Sequence, residues 1–101
     1  MPTPKMYVLV RNDLSSSYKF VQGAHALAQY SILFPENFSK WNNSTIAFLA
    51  VRNYKDLIAI ELTLMATKKI FASFREEDLD NQLTSIACYD TGEIFKNLKV
   101  A

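Results

Sequence analysis

Residues that could hold a fold together by cross-linking are scarce in this chain. Of its 101 residues, one is a cysteine and one is a histidine. A lone Cys88 cannot form an internal disulfide, and one cysteine with one histidine cannot supply the usual structural zinc sites. We therefore expect no metal site and a reducing compartment.

Glycine and long apolar runs are also scarce. The two glycines, Gly23 and Gly92, are isolated, which excludes a glycine-rich phosphate-binding loop. No apolar run approaches the ~18 residues that a membrane-spanning helix needs, and the first residues lack the apolar stretch of an export signal. We therefore expect a cytoplasmic protein without a membrane partner.

Charge of one sign is missing as well, because the net charge is only +1. Any binding to nucleic acid must then rest on a local basic patch rather than on a global field. With half of the residues hydrophobic and 21% charged, the composition is that of an ordinary globular protein. The length predicts a single domain over residues 1–101.

Apolar runs and helical periodicity alternate along the chain. The predicted strands cover residues 5–10, 45–51, 70–74 and 83–89, and the predicted helices cover about 18–34, 36–41 and 54–68. The order β-α-α-β-α-β-β, with right-handed crossovers, predicts an α/β domain. We expect a four-stranded mixed sheet with helices on both faces, followed by an amphipathic turn in residues 91–101.

The helix that contains the only histidine is the main candidate for a site. At ~100° per residue, Tyr18, Gln22, His25 and Gln29 share one polar strip beside an apolar band. A histidine oriented by a carboxylate can act as a general base near neutral pH. Carboxylates from loops at one sheet edge could serve: Asp13, Glu76, Glu77 and Asp78.

A simpler interpretation stays open for each of these residues. A single histidine beside apolar side chains is more often a packed, hydrogen-bonded side chain than a catalytic base. Gln22 is then a surface or capping group, and the acidic residues after the third strand are solvated loop charges. Serine and cysteine nucleophiles do not accompany the histidine in any recognisable pattern.

Two short motifs resemble the archaeal and eukaryotic class of peptidyl-tRNA hydrolases. They are Arg11-Asn-Asp-Leu after the first strand and Gln22-Gly-Ala-His25-Ala in the following helix. Residues 84–87 are similar to the family's final strand and residues 97–100 to its ending, so the resemblance covers nearly the whole chain. It implies hydrolysis of the ester between a peptide and the 3′ end of tRNA, by a cytoplasmic homodimer without a cofactor.

The resemblance transfers to some positions and not to others. Asp13, Gln22 and His25 match the family motif. The family lysine stands seven residues before the histidine, where this chain has Tyr18, and Lys19 lies ~120° around the helix from His25. The family's catalytic aspartate opens an Asp-Ala-Gly run, where this chain has Glu-Glu-Asp at 76–78.

Two functions follow as hypotheses. In a hydrolase, His25 and one of the four carboxylates would activate water while Gln22 and Tyr18 contact the substrate. The cations that would meet the phosphates of the acceptor stem of tRNA are Arg11, Lys19 and Arg75. In the alternative, the chain is a catalytically inactive binding module for an RNA end, a nucleotide or a protein. A third interpretation is a dimeric domain that binds a protein partner through an exposed Trp41 or Phe95.

Overall fold

The structure, a computed structural model, describes residues 2–101. Met1, the first residue of the predicted domain, lies outside the described residues. The strands are β1 (Lys5–Arg11), β2 (Ile46–Val51), β3 (Ala72–Glu76), β4 (Gln82–Asp90) and β5 (Lys99–Val100), and the helices are α1 (Ser16–Leu33), α2 (Pro35–Trp41) and α3 (Tyr54–Ala66). Short 3₁₀ turns follow β3 (Glu77–Leu79) and β4 (Glu93–Phe95). The predicted α/β domain with a mixed sheet is confirmed.

The sheet has five strands in the order β3-β4-β1-β2-β5 within the described residues, so the predicted number of four is wrong. The additional strand lies in the tail where the sequence predicts only a turn. Phe95 is buried and holds the tail against the sheet, and Lys99 and Val100 then pair with β2. A strand of two residues is too short to show any alternation of polar and apolar side chains.

The first three strands run in the same direction. β1 is parallel to β2, and β4 is antiparallel to both β1 and β3, so β3 is parallel to β1. The carboxyl ends of β1, β2 and β3 therefore lie at one edge of the sheet, which we call the carboxyl edge. This arrangement brings the loops after β1 and β3 to the same side of the molecule, as expected from the sequence.

Helices cover both faces of the sheet because β1 is apolar on both alternations. Met6, Val8 and Val10 pack with α1 and α2, whereas Leu9 packs with α3. Ser15 caps α1 and Asn53 caps α3, each through a side-chain oxygen that accepts a backbone N–H. Within residues 2–101, none of the helices combines the length and apolar content that crossing a membrane requires.

The two aromatic residues suggested as exposed anchors for a partner are buried instead. Trp41 packs in the cluster under α1 and donates its indole N–H to the carbonyl of Thr45 at 2.8 Å. Phe95 packs in the cluster under α3, with its ring 5.1 Å from that of Tyr7. Both rings stabilise the core, and neither is available to a protein partner.

Candidate functional site

Gln22 lies at the centre of the candidate site and is completely buried. Its amide nitrogen donates to Glu76 at 2.9 Å, and its amide oxygen accepts a hydrogen bond from the hydroxyl of Thr84 at 2.7 Å. One glutamine of α1 thus joins the ends of β3 and β4. A buried amide with partners at both ends is rigid, so Gln22 positions its neighbours rather than reaching a substrate itself.

An irregularity in the β3–β4 ladder creates this network. The register shifts between Phe74 and Arg75, which pair with Ser85 and Leu83. Thr84 is the extra residue, and both Thr84 and Ser85 therefore face α1, where the Ser85 hydroxyl donates to the carbonyl of Gln22 at 2.5 Å. Regular alternation predicts only one hydroxyl on this face, so the sequence did not indicate the pair.

His25 lies one turn beyond Gln22 and is exposed to solvent. Its ring stacks on that of Phe74, with 4.5 Å between the ring centroids and 11° between the ring planes. Within residues 2–101, no carboxylate lies within hydrogen-bond distance of its ring. The sequence did not indicate Phe74 as a partner, because that contact depends on which face of β3 turns toward α1.

Glu76 is the acidic residue that lies nearest to this strip. The hydrogen bond from Gln22 outweighs partial burial and lowers the pKa of Glu76, with smaller contributions from the backbone N–H of Asp78, from nearby Tyr18 and from the charge of His25. Partial desolvation, followed by the negative charges of Glu76 and Asp78, raises the pKa of Tyr18. Tyr18, Gln22, His25 and Glu76 are therefore brought together, and we call them the α1 strip. Glu77 and Asp78 are exposed in the turn beyond it.

Arg11 and Asp13 lie on the other face of the sheet, at the carboxyl edge beside α3. Arg11 is only 4% exposed, and its guanidinium donates to both oxygens of Asp13 at 2.9 and 2.7 Å. It also donates to Gln82 and to the carbonyl of Leu83, at 2.9 and 3.0 Å, and lies over the ring of Tyr54. The side-chain hydrogen bond from Arg11 lowers the pKa of Asp13. Both oxygens of Asp13 thus bind Arg11, and Asp13 is not a partner of His25.

The two remaining cations of the predicted site also have partners within the chain. Arg75 faces α3 and donates to both oxygens of Glu61, at 2.8 and 3.1 Å. Lys19 is inside α1, which begins at Ser16, and its ammonium donates to the side chain of Asn12 at 2.8 Å. Most predicted site residues are thus divided between the α1 strip, the Arg11–Asp13 pair and the Arg75–Glu61 pair, while Lys19 binds Asn12 and the other two acidic residues lie in the exposed turn. No group of three or more metal-ligating side chains lies together in the part of the chain that the structure describes.

The Glu61 pair predicts a dependence of stability on pH. Burial alone would raise the pKa of Glu61. The hydrogen bonds from Arg75 and Ser73 and the charge of Arg75 lower it by more, so the pKa lies below its ordinary value of 4.5. The carboxylate therefore stabilises the fold above that pH, and this contribution is lost as the pH falls through the depressed value. In Glu61→Gln, we expect the free energy of unfolding to fall less steeply as the pH is lowered. The difference in slope corresponds to the uptake of up to about one proton fewer on unfolding.

Urea unfolding between neutral pH and strong acid measures this effect. Glu77→Gln is the matched control, since Glu77 is exposed and its side chain makes no hydrogen bond within the described residues. An acid dependence in Glu61→Gln identical to that of the wild type would show that the pair does not stabilise the fold.

Comparison with known proteins adds information about the fold alone. No protein-family model matches the chain, and no curated protein matches it. The chain is similar to the solved structure of Atu0240, a protein of unknown function from Agrobacterium tumefaciens strain C58, with a TM-score of 0.74 and 17% identity over 100% of this chain and 99% of that one. The whole chain therefore has an architecture already seen in a solved protein, and its chemistry must be inferred from its own residues.

Proposed function

We propose that this chain is a peptidyl-tRNA hydrolase-like binding module that recognises the single-stranded 3′ end of an RNA and does not hydrolyse it. The observation that supports this proposal most strongly is the ring of His25. It is exposed, it stacks on Phe74, and it has no carboxylate partner among the described residues.

A stacked pair with a solvent-facing side is suited to hold one more planar ring. Phe74 covers one side of the His25 imidazole, so a nucleobase could extend the stack on the other side. Unpaired bases at RNA ends are commonly recognised by stacking on aromatic and histidine side chains. Tyr18, partly exposed seven residues before His25 in α1, would provide a second ring on the same strip.

The hydrogen bonds around the α1 strip favour binding over catalysis. A general base for ester hydrolysis needs a group that orients it toward the water it deprotonates. Both oxygens of Asp13 bind Arg11, and one oxygen of Glu76 binds Gln22. These two carboxylates therefore stabilise the fold. In an esterase, one of them would instead orient the histidine.

The charges nearby favour a short RNA end over a long duplex. Arg11 and Arg75 are occupied by internal ion pairs, which leaves Lys19 as the nearest cation with an accessible ammonium. Glu77 and Asp78 are exposed close to the strip and would repel a phosphate backbone. We therefore expect modest affinity that depends on the terminal unpaired bases.

Hydrolysis of the peptidyl-tRNA ester is the second candidate. It is favoured by the position of His25 and Glu76 on one strip, close enough for the charge of His25 to contribute to the lowered pKa of Glu76. In that case a water molecule between the imidazole and the carboxylate would be the nucleophile. The homodimer implied by the resemblance stays a prediction, supported by the exposed apolar residues Val21 and Ile32 on α1.

Fluorescence anisotropy with an acceptor-stem minihelix tests the proposed binding. We expect the wild type to bind a minihelix that has a single-stranded 3′ end and to bind the blunt form at least about fivefold more weakly. We expect His25→Ala to lose affinity by a similar factor, because stacking contributes about 1–3 kcal/mol per base.

Gln29→Ala is the matched control for these titrations. Gln29 lies one turn after His25 on the same side of α1 but has no ring on which a base could stack, so its removal should leave the affinity nearly unchanged. Equal binding of the blunt and single-stranded minihelices, or wild-type affinity in His25→Ala, would contradict recognition of an RNA end at this strip.

A further inference from the structure

A groove of about 590 Å³ lies at the carboxyl edge, on the α3 face and apart from the α1 strip. It is bounded by the end of β2, the first half of α3 and the tail that leads into β5. Ala59 lines the groove from α3 with a short side chain, whereas Ala50 pairs with Val10 and its side chain points to the α1 face. A volume of this size is typical of small-molecule sites in proteins.

The position of the groove agrees with a general property of open α/β sheets. The chain leaves β1 toward one face through α1 and leaves β2 toward the other through α3. Ligands commonly bind beyond the carboxyl ends of parallel strands where successive connections diverge in this way. The β1–β2 pair is the one place in this sheet where adjacent strands are parallel.

The floor of the groove is aliphatic. Its apolar lining consists of Ala50, Val51, Ala59, Ile60 and Leu98. Among the described residues that line it, none is aromatic, so the groove offers no ring on which a nucleobase could stack. The floor therefore suits a flexible or branched hydrocarbon body.

The rim carries an excess of positive charge. Arg52 and Lys99 line the groove, and the Arg52 side chain is 84% exposed even though it pairs with Asp56. Lys99 is exposed and makes no ion pair with any other described residue. Asp56 is the only carboxylate that lines the groove among the described residues.

We propose that this groove binds a small aliphatic carboxylate, with its hydrocarbon body on the floor and its carboxylate between Arg52 and Lys99. The amide groups of Asn12 and Asn97 on the rim can donate hydrogen bonds to the same anion. The site is separate from the α1 strip, so the inference is independent of whether the chain recognises RNA.

Titration of the ¹⁵N-labelled full chain with octanoate tests this site. We expect saturable shifts confined to the amides of residues 50–60 and 97–99, and at least roughly fivefold weaker binding of neutral octanamide. The double variant Arg52→Ala/Lys99→Ala should bind octanoate roughly tenfold more weakly, since each exposed ion pair contributes only modestly. Lys40→Ala, which removes a cation from α2, should bind like the wild type.

Two more variants give results that a poorly folded protein could not imitate. Asp56→Asn removes the only carboxylate that lines the groove, and we expect it to bind octanoate a few-fold more tightly. Ala59→Trp places a large ring in the groove from an exposed position, and we expect it to abolish the shifts while the spectrum stays folded. The proposal is overturned if octanamide binds as well as octanoate, if the shifts lie outside the groove, or if adenosine monophosphate binds there and octanoate does not.

Discussion

Replacing Arg11 with methionine is expected to lower the free energy of unfolding by about 3 kcal/mol. The guanidinium is buried and holds four acceptor atoms in place, two on Asp13, one on Gln82 and the carbonyl of Leu83. Methionine fills a similar volume but removes the buried hydrogen bond to the Leu83 carbonyl. Since Asp13 is partly exposed, water can solvate its carboxylate, so we expect the lower end of the range for broken buried ion pairs.

Urea denaturation measures this change, and Arg52→Met is the matched control. Arg52 forms the same kind of two-bond pair with Asp56, at 2.7 and 3.2 Å, but at the surface. Exposed pairs contribute little, so Arg52→Met should be close to the wild type. Similar losses in the two variants would contradict the structural role assigned to Arg11 and would favour a surface role such as contact with phosphate.

Replacing Gly23 with valine is expected to lower the free energy of unfolding by about 3 kcal/mol. Gly23 lies where α1 crosses the sheet, and a Cβ atom there would be 2.7 Å from the ring of Phe48 and 3.0 and 3.1 Å from Val10 and Val8. Even one methyl group therefore forces these side chains or the helix itself to move, and the larger valine requires a larger shift. A shift of the helix also stretches the hydrogen bonds of the neighbouring Gln22 to Glu76 and Thr84.

Ala24→Val is the control for the helix itself. Ala24 is exposed on the next position of α1, so valine there should cost only the difference in helix propensity, about 0.5 kcal/mol. Thermal unfolding followed by circular dichroism compares the two. Equal losses in both variants would show that the close approach of α1 to the sheet at Gly23 is not required.

The fold could be predicted from the sequence wherever burial was strong enough to leave a pattern. Runs that are apolar on both alternations predict β1 and β2, and Asn53 before a periodic segment predicts the start of α3. β5 could not be predicted in this way, because its pairing depends on the buried Phe95 rather than on the two residues of the strand. Tertiary packing determined that strand, and local propensity did not.

The candidate site could be predicted only as far as helical periodicity reaches. Tyr18, Gln22 and His25 are neighbours on α1 because the helix repeat requires it. Which face of β3 turns toward α1 depends on tertiary packing, so the stack of His25 on Phe74 could not be predicted, although strand alternation does place Arg75 on the face opposite to Glu76. Thr84 joins Ser85 on the α1 face only because of one extra residue in the β3–β4 ladder, which no single-sequence pattern reveals.

Burial also separates the cations that the sequence presents as equivalent. An arginine after a strand can bind phosphate at the carboxyl edge or close the end of the core. The pairing of Arg11 with Asp13, Gln82 and the Leu83 carbonyl corresponds to the second role. Net charge and motif spacing contain no information on this choice, because it depends on residues about 70 positions away.

A single-turnover assay on an N-acetylated aminoacyl-tRNA tests the central claim most directly. With the wild-type chain in excess, we expect a complex to form, seen as a rise in anisotropy that is reduced in His25→Ala, while the ester is lost only at the rate of the protein-free blank. An active peptidyl-tRNA hydrolase in parallel shows that the substrate is competent. Release of free tRNA well above the blank, abolished by His25→Ala, would contradict the account and assign the α1 strip to catalysis.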